Sequence, residues 1–252
     1  MTRVIAIMNQ YAQAGKTMTT LNLGYALALM NKTVTLIDID PKAQLSQDCR
    51  LGDATMGINQ VLKNEVSIVQ ARHSLADGFG VVPVGEGLMT YEKEGNYNNK
   101  MQQSYKLKKM IEAMTEQQDF ILIDCPSKSS LLTVNALLAA DEIIIPTKID
   151  FASLQGMVQS VSLFKRLKKL SKGAKLWLVL TQLNQTDSMA SEIKDSLKAY
   201  FPQRVFNTAI RKDNALAESR KNKETIFDYQ QQSDAAADYF LLAQDIIEGR
   251  VN

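Results

Sequence analysis

The chain has 252 residues, 45% of them hydrophobic, enough to bury one good core; α/β folds of this size form single domains, so one domain over residues 1–252 is expected. Its 29 basic and 27 acidic residues nearly cancel to +2, so charge can point to a partner only where cations cluster. No apolar run reaches the roughly 18 to 20 residues that cross a bilayer, Val4–Ile7 is too short for a signal segment, and Cys49 and Cys125 sit far apart beside no second thiol or histidine.

These exclusions leave a soluble, cytoplasmic protein without stable membrane insertion as the expectation. Along the chain, short β-branched runs alternate with amphipathic stretches. A strand at Arg3–Met8 precedes a helix at Thr17–Met30, and strands follow at Thr33–Ile37 and Val81–Pro83. A helix at Leu107–Met114, a strand at Phe120–Ile123, a helix at Leu131–Ala139 and a strand at Glu142–Ile145 come next. Then come a helix at Leu154–Leu170, a strand at Lys175–Leu180, and helices at Ala190–Tyr200 and Ala235–Ile247. The strands are almost continuously apolar, as strands buried on both faces must be. The pattern predicts an α/β fold, a doubly wound, mostly parallel sheet with helices on both faces. The segment Gly85–Tyr105, rich in Gly, Asn, Gln and Tyr, reads as a long loop or a loose helix. His73, the single histidine, defaults to a surface or loop position with no role.

Between the first strand and the first helix lies Asn9-Gln10-Tyr11-Ala12-Gln13-Ala14-Gly15-Lys16-Thr17. Strand, loop, helix is the order a phosphate cradle requires. Backbone N–H groups and the positive end of the helix would hold phosphates, Lys16 would neutralise the β/γ oxygens and Thr17 would ligate magnesium. The cofactor-binding stretch is Gln13, Ala14, Gly15, Lys16, Thr17 and Met18. The strict eight-residue Walker pattern is not met, because Gln10 stands where its first glycine belongs. A bare Gly-Lys-Thr can occur by chance in a surface turn; its position directly after the first strand is what gives it meaning.

Two later strands end in acids: Asp38 and Asp40 in Leu36–Pro41, and Asp124 in Phe120–Pro126. Ligands of open α/β sheets bind at the carboxyl ends of strands, so these aspartates should converge on the loop. One should face magnesium and another could orient an attacking water. Any one of them alone could instead be a helix cap or turn residue.

With these motifs the sequence resembles the ParA/Soj/MinD group of deviant Walker ATPases almost end to end, most closely the Soj and plasmid ParA branch. The family's loop Asn-Gln-Lys-Gly-Gly-Val-Gly-Lys-Thr is similar to Asn9–Thr17, and its Asp-x-Asp-Pro-Gln to Asp38–Lys42. Its Ile-Asp-Cys-Pro-Pro is similar to Ile123–Ser127, and its Leu-Leu-Thr-x-Asn-Ala-Leu to Leu131–Leu137. Ala140–Pro146 and the stretch from Tyr200 through Arg211 to Glu218 are further landmarks. The resemblance implies ATP and Mg2+ as cofactors, Lys16 and Asp40 as the catalytic pair, with Asp40 positioning the hydrolytic water, and Thr17, Asp38 and Asp124 around the metal. It also implies an ATP-sandwiched homodimer, a ParB-like or other adaptor protein, and a place in the cytoplasm or on the nucleoid.

The family's signature lysine, which reaches the other subunit's phosphates, is replaced here by Tyr11. Ala12 and Gln13 replace two glycines and Met18 replaces a threonine. Loss of a cation delivered in trans resembles loss of an arginine finger, worth on the order of 10³ to 10⁵ in rate. The expectation is therefore ATP binding with slow, altered or absent hydrolysis, with Lys42 or Lys128 as substitutes for the missing lysine. Ala12 or Gln13 would add strain if the glycine they replace had positive φ.

Two basic groups could contact DNA without sequence preference: Lys165, Arg166, Lys168 and Lys169 on one helix, with Leu167 and Leu170 facing inward and Lys172 just beyond, and Arg211, Lys212, Arg220, Lys221 and Lys223. A solvated helix face is the ordinary alternative. The C-terminal helix has an acidic polar face, which suits a core-docking helix better than a MinD-like membrane reader. The unpaired cysteines disfavour an iron–sulfur relative. A nucleotide-dependent regulatory scaffold that does not hydrolyse is the alternative from a different class, favoured by Tyr11 and Gln13.

Overall fold

The computed structural model describes residues 1–88, 100–170, 173–184 and 188–249. Its sheet is built from β1 (Arg3–Ile7), β2 (Val34–Asp38), β3 (His73–Ala76), β4 (Phe79–Val82), β5 (Phe120–Asp124), β6 (Glu142–Lys148) and β7 (Lys175–Thr181). The strand order is β3-β4-β2-β5-β1-β6-β7, and every pairing is parallel except β3 with β4. The helices are α1 (Lys16–Leu29), α2 (Gln44–Asp48), α3 (Ile58–Lys63), α4 (Lys100–Ser104), α5 (Lys106–Ile111) and α6 (Leu131–Ala139). Then follow α7 (Phe151–Leu167), α8 (Ser188–Tyr200), α9 (Asn214–Lys221), α10 (Ile226–Gln230) and α11 (Asp234–Glu248).

The alternation of side chains along each strand divides the core into two layers. Val4, Ala6, Met8, Ile121 and Ile123 face one layer with Leu132, Met157, Val161 and Phe164 of α6 and α7. Ile5, Ile7, Leu36, Leu122 and Val179 face the other with Leu23, Leu27, Tyr239 and Leu242 of α1 and α11. Both faces of the central strands are thus dry, and each large aliphatic side chain buried there contributes about 1.5–3 kcal/mol. That double burial is why the sequence reads as continuous apolar runs at these strands.

An unexpected edge strand and a shifted helix mark where the fold departs from the expected elements. His73 lies on the edge strand β3, whose residues are mostly exposed and so carry no apolar signature. The helix expected at Leu154–Leu170 starts at Phe151, because Asp150 caps it by accepting from Ser153 N, and ends at Leu167. Lys168 and Lys169 therefore sit in the following turn, closed by Leu170 N to Leu167 O, and Leu170 is 39% exposed rather than inward-facing. Of the expected loop Gly85–Tyr105, residues 89–99 lie outside the described residues and Lys100–Ser104 forms α4. Lys172 also lies outside them.

β1 sits mid-sheet, flanked by β5 and β6. The chain leaves it toward β2 on one side, while β6 and β7 extend the other, so the crevice above the carboxyl end of β1 is where a doubly wound sheet holds its ligand.

Candidate functional site

The loop after β1 is held on three sides. Asn9 is fully buried; its Oδ1 accepts from Tyr11 N at 2.8 Å while its Nδ2 donates to Pro146 O at 2.8 Å. From the end of β7, Thr181 Oγ1 donates to Ala14 O at 3.0 Å, and from the residue after it Gln182 Nε2 donates to Gln13 O at 3.3 Å. From α7, Ser160 Oγ accepts from Gln10 N at 3.0 Å. Gly156 lets α7 approach: a Cβ there would lie 2.7 Å from Tyr11 N and closer still to Asn9 Oδ1.

Gly15 takes φ +90°, a conformation that favours glycine, and is the N-cap of α1. No side chain caps this helix, and the first backbone bond of its opening turn is Thr19 N to Gly15 O. The amides of Lys16, Thr17 and Met18 thus stand at the positive end of a 14-residue helix with no capping side chain. Ala12 and Gln13 are not in the left-handed region, so replacing glycine there adds exposed side chains without the backbone strain that the sequence raised.

Lys16 is 4% exposed, and its Nζ donates to Tyr11 O at 3.0 Å and to Ser127 Oγ at 2.8 Å. Burial lowers its pKa, opposed by the charges of Asp124 and Asp40. Thr17 Oγ1 donates to Asp124 Oδ2 at 2.8 Å, joining the start of α1 to the end of β5. Asp124 is pushed well above the carboxylate range by burial and then by Asp38 nearby.

Asp38 and Asp40 play different geometric parts. Asp38, expected beside the metal, is fully buried: its Oδ2 accepts from Ser46 N at 2.8 Å and Ser46 Oγ at 2.7 Å, and its Oδ1 from Asp40 N at 3.1 Å. It braces the turn that carries Asp40. Burial raises the Asp38 carboxyl to about 7 against the pull of Ser46. Asp40 is half-buried, and its Oδ1 accepts from Lys42 N at 3.0 Å.

The structure brings Gly15, Lys16, Thr17, Asp124 and Asp40 together at the strand ends. Tyr11, in the signature-lysine place, is half-buried with its hydroxyl on Gln13 Oε1 at 3.2 Å. Lys42 and Lys128 both have exposed side chains. Ser127, which reasoning from the sequence passed over for Lys128, is the β5-side residue that meets Lys16. Its signal was present as a hydroxyl where the resembling motif has a second proline.

The two basic groups do not merge. Lys165, Arg166, Lys168 and Lys169 are exposed at the end of α7, on one face of the sheet. Arg211, Lys212, Arg220 and Lys221 accompany α9, on the other face with α11. Arg211 is committed internally: its Nε and Nη2 donate to Asp238 at 2.8–3.1 Å and its Nη1 pairs with Asp234 at 2.8 Å. Arg220 Nε lies 3.3 Å from Asp48 Oδ2. Among the described residues no helix is long and apolar enough to cross a membrane.

Uncapped amides, a buried ammonium and a hydroxyl–carboxylate pair are groups that could hold a polyphosphate with a divalent cation. The chain also resembles known proteins over nearly its whole length. The AAA domain family matches residues 2–176. The chain is similar to the sporulation initiation inhibitor protein Soj of Bacillus subtilis (strain 168), 29% identical over 251 residues, which are 98% of this chain and 98% of that protein. It is also similar to the chromosome partitioning protein ParA of Caulobacter vibrioides (strain NA1000 / CB15N), 29% identical over 252 residues, covering 97% of this chain and 94% of that one. Its fold matches the crystal structure of cobyrinic acid a,c-diamide synthase from Mycobacterium smegmatis with bound ADP and magnesium, at a TM-score of 0.84 and 22% identity over 99% of this chain and 97% of the other.

Proposed function

The chain belongs to the AAA domain family, among its ParA/Soj/MinD-type P-loop ATPases, and on that premise we propose that it is a single-domain, ATP- and magnesium-binding protein that partitions or positions DNA or other large cargo. The observation that carries this reading is the start of α1. Left-handed Gly15 presents uncapped amides there, Lys16 projects beside them, and Thr17 is bonded to Asp124. In this reading the amides from Gln13 to Met18 bind the phosphates, Lys16 neutralises their outer oxygens, and Thr17 with Asp124 holds the cation. Bound magnesium would offset negative charge on the phosphate oxygens and on the crowded acids. Asp40, braced from below by Asp38, orients the water that attacks.

Tyr11 sets the rate in this proposal. A phenol tied to Gln13 cannot deliver a cation to a second copy's phosphates, so hydrolysis by an ATP-dependent homodimer is slow or altered. DNA binding without sequence preference falls to Lys165, Arg166, Lys168 and Lys169, with Lys212 and Lys221 on the opposite face. Arg211 and Arg220 serve the fold first, because carboxylates already hold them. A ParB-like adaptor completes the cycle, in the cytoplasm or on the nucleoid. Tyr11 also favours a second reading, a nucleotide-dependent regulatory scaffold that does not hydrolyse.

The test is nucleotide titration with and without magnesium, run beside an ATP turnover assay with and without DNA. Magnesium-dependent ATP binding with slow, DNA-responsive turnover supports the partition reading. Binding with no turnover under any condition selects the scaffold.

A further inference from the structure

Lys16 Nζ is held between two oxygens from different parts of the fold: the Tyr11 carbonyl of its own loop at 3.0 Å and the Ser127 hydroxyl of the β5–α6 connection at 2.8 Å. An ammonium has three N–H donors, so two are committed and one remains for a ligand. Ser127 is half-buried, and toward Lys16 its oxygen can only accept, because a protonated lysine offers no lone pair. Its own O–H is therefore left without an acceptor among the bonds of the described residues. Lys16 thus ties Ser127, on the β5 side, to the loop that opens α1. In the proposed function Lys16 meets the outer phosphate oxygens, and Ser127 Oγ, 2.8 Å from that ammonium, stands at the same end.

We propose that Ser127 binds the terminal phosphoryl group of the nucleotide: its oxygen fixes the Lys16 ammonium, and its hydroxyl proton is donated to an outer phosphoryl oxygen. The role is available to this chain because a hydroxyl stands where the resembling motif carries a proline, which has no side-chain donor. It gives the site a neutral donor at the outer phosphate, in a chain whose loop lacks the lysine that would act in trans. Lys128, next in sequence, is not needed for it: that side chain is exposed, and its backbone carbonyl accepts from Thr133 Oγ1 at 2.7 Å.

The inference rests on the polyphosphate reading, and affinities of the full chain for magnesium–ATP and magnesium–ADP separate the two. Ser127→Ala should weaken ATP binding roughly tenfold and ADP binding by less than about threefold, the loss of one hydrogen bond to a charged group that only ATP presents. Ser127→Thr, which keeps the hydroxyl, should restore the ATP preference, with thermal melting unchanged in both variants. Equal losses for the two nucleotides, no loss for either, or an ATP-selective loss that Thr fails to restore would overturn the assignment while leaving the cradle intact. A wild-type chain that binds neither nucleotide overturns the cradle and this role together.

Discussion

Thr17 Oγ1 donates to Asp124 Oδ2 at 2.8 Å, across 107 positions of sequence, and so joins the first turn of α1 to the end of β5. A hydroxyl and a carboxylate in that relation are the oxygen pair a divalent cation takes from a protein that also holds phosphates. Thr17→Ala should therefore reduce the magnesium-dependent part of ATP affinity by roughly tenfold, as loss of a groups' support around a metal typically does. The measurement is the ratio of ATP affinities with magnesium and with chelator; an unchanged ratio contradicts the assignment.

Crowded acids at the strand ends give a pH signature. Burial raises the Asp38 carboxyl from 3.8 to about 7 despite two hydrogen bonds from Ser46. A raised carboxyl contributes stability that is full below its ordinary pKa and is lost as pH climbs through the folded one. Without divalent cation, stability should fall between about pH 4 and about pH 7, and Asp38→Asn should flatten that part of the profile. Thermal melts of the two proteins across this window provide the check; parallel profiles contradict it.

Gly156 is where α7 meets the loop. A Cβ at that position would lie 2.7 Å from Tyr11 N, a backbone atom that cannot swing aside. Gly156→Ala should cost about 1–3 kcal/mol of stability, as overpacking does, and should weaken ATP binding by displacing the loop. Denaturant unfolding and nucleotide titration test the two effects; an Ala variant matching wild type in both would place the loop's support elsewhere.

The central strands were legible because burial on both faces makes Arg3–Ile7 and Phe120–Asp124 nearly uninterrupted apolar runs. β3 was not, since an exposed edge strand such as His73–Ala76 has no apolar period to read. The short helices α9 and α10 escaped too, although Asp213 and Thr225 cap them with side-chain bonds to Ala215 N and Asp228 N. Lys16 and Thr17 stood out from strand, loop, helix order and Asp124 from its place at a strand end, and Thr17 and Asp124 do meet. Ser127 was not, because its importance comes from a contact with Lys16 across 111 positions. Charge clusters were legible as composition only: nothing in the sequence says that Arg211 is spent on Asp234 and Asp238.

That difference separates the basic residues experimentally. Arg211→Ala leaves the buried Asp238 carboxylate without its guanidinium and should cost about 1–3 kcal/mol of stability. Lys165→Ala and Arg166→Ala, at exposed positions, should change stability by no more than about 0.5 kcal/mol. Instead each should weaken DNA binding and lower the slope of affinity against salt by about 1. Melting curves and salt-dependent DNA titrations distinguish the outcomes; a full salt slope in both lysine and arginine variants removes this surface from DNA.

The most direct measurement is calorimetric titration of the full chain with magnesium–ATP, beside Lys16→Ala. The Gly15–Thr17 cradle predicts saturable uptake of one nucleotide per chain, dependent on magnesium, and a loss of roughly 100-fold or more in the variant, where a buried ammonium no longer meets the phosphates. No uptake by the wild-type chain, or equal uptake by Lys16→Ala, would contradict it.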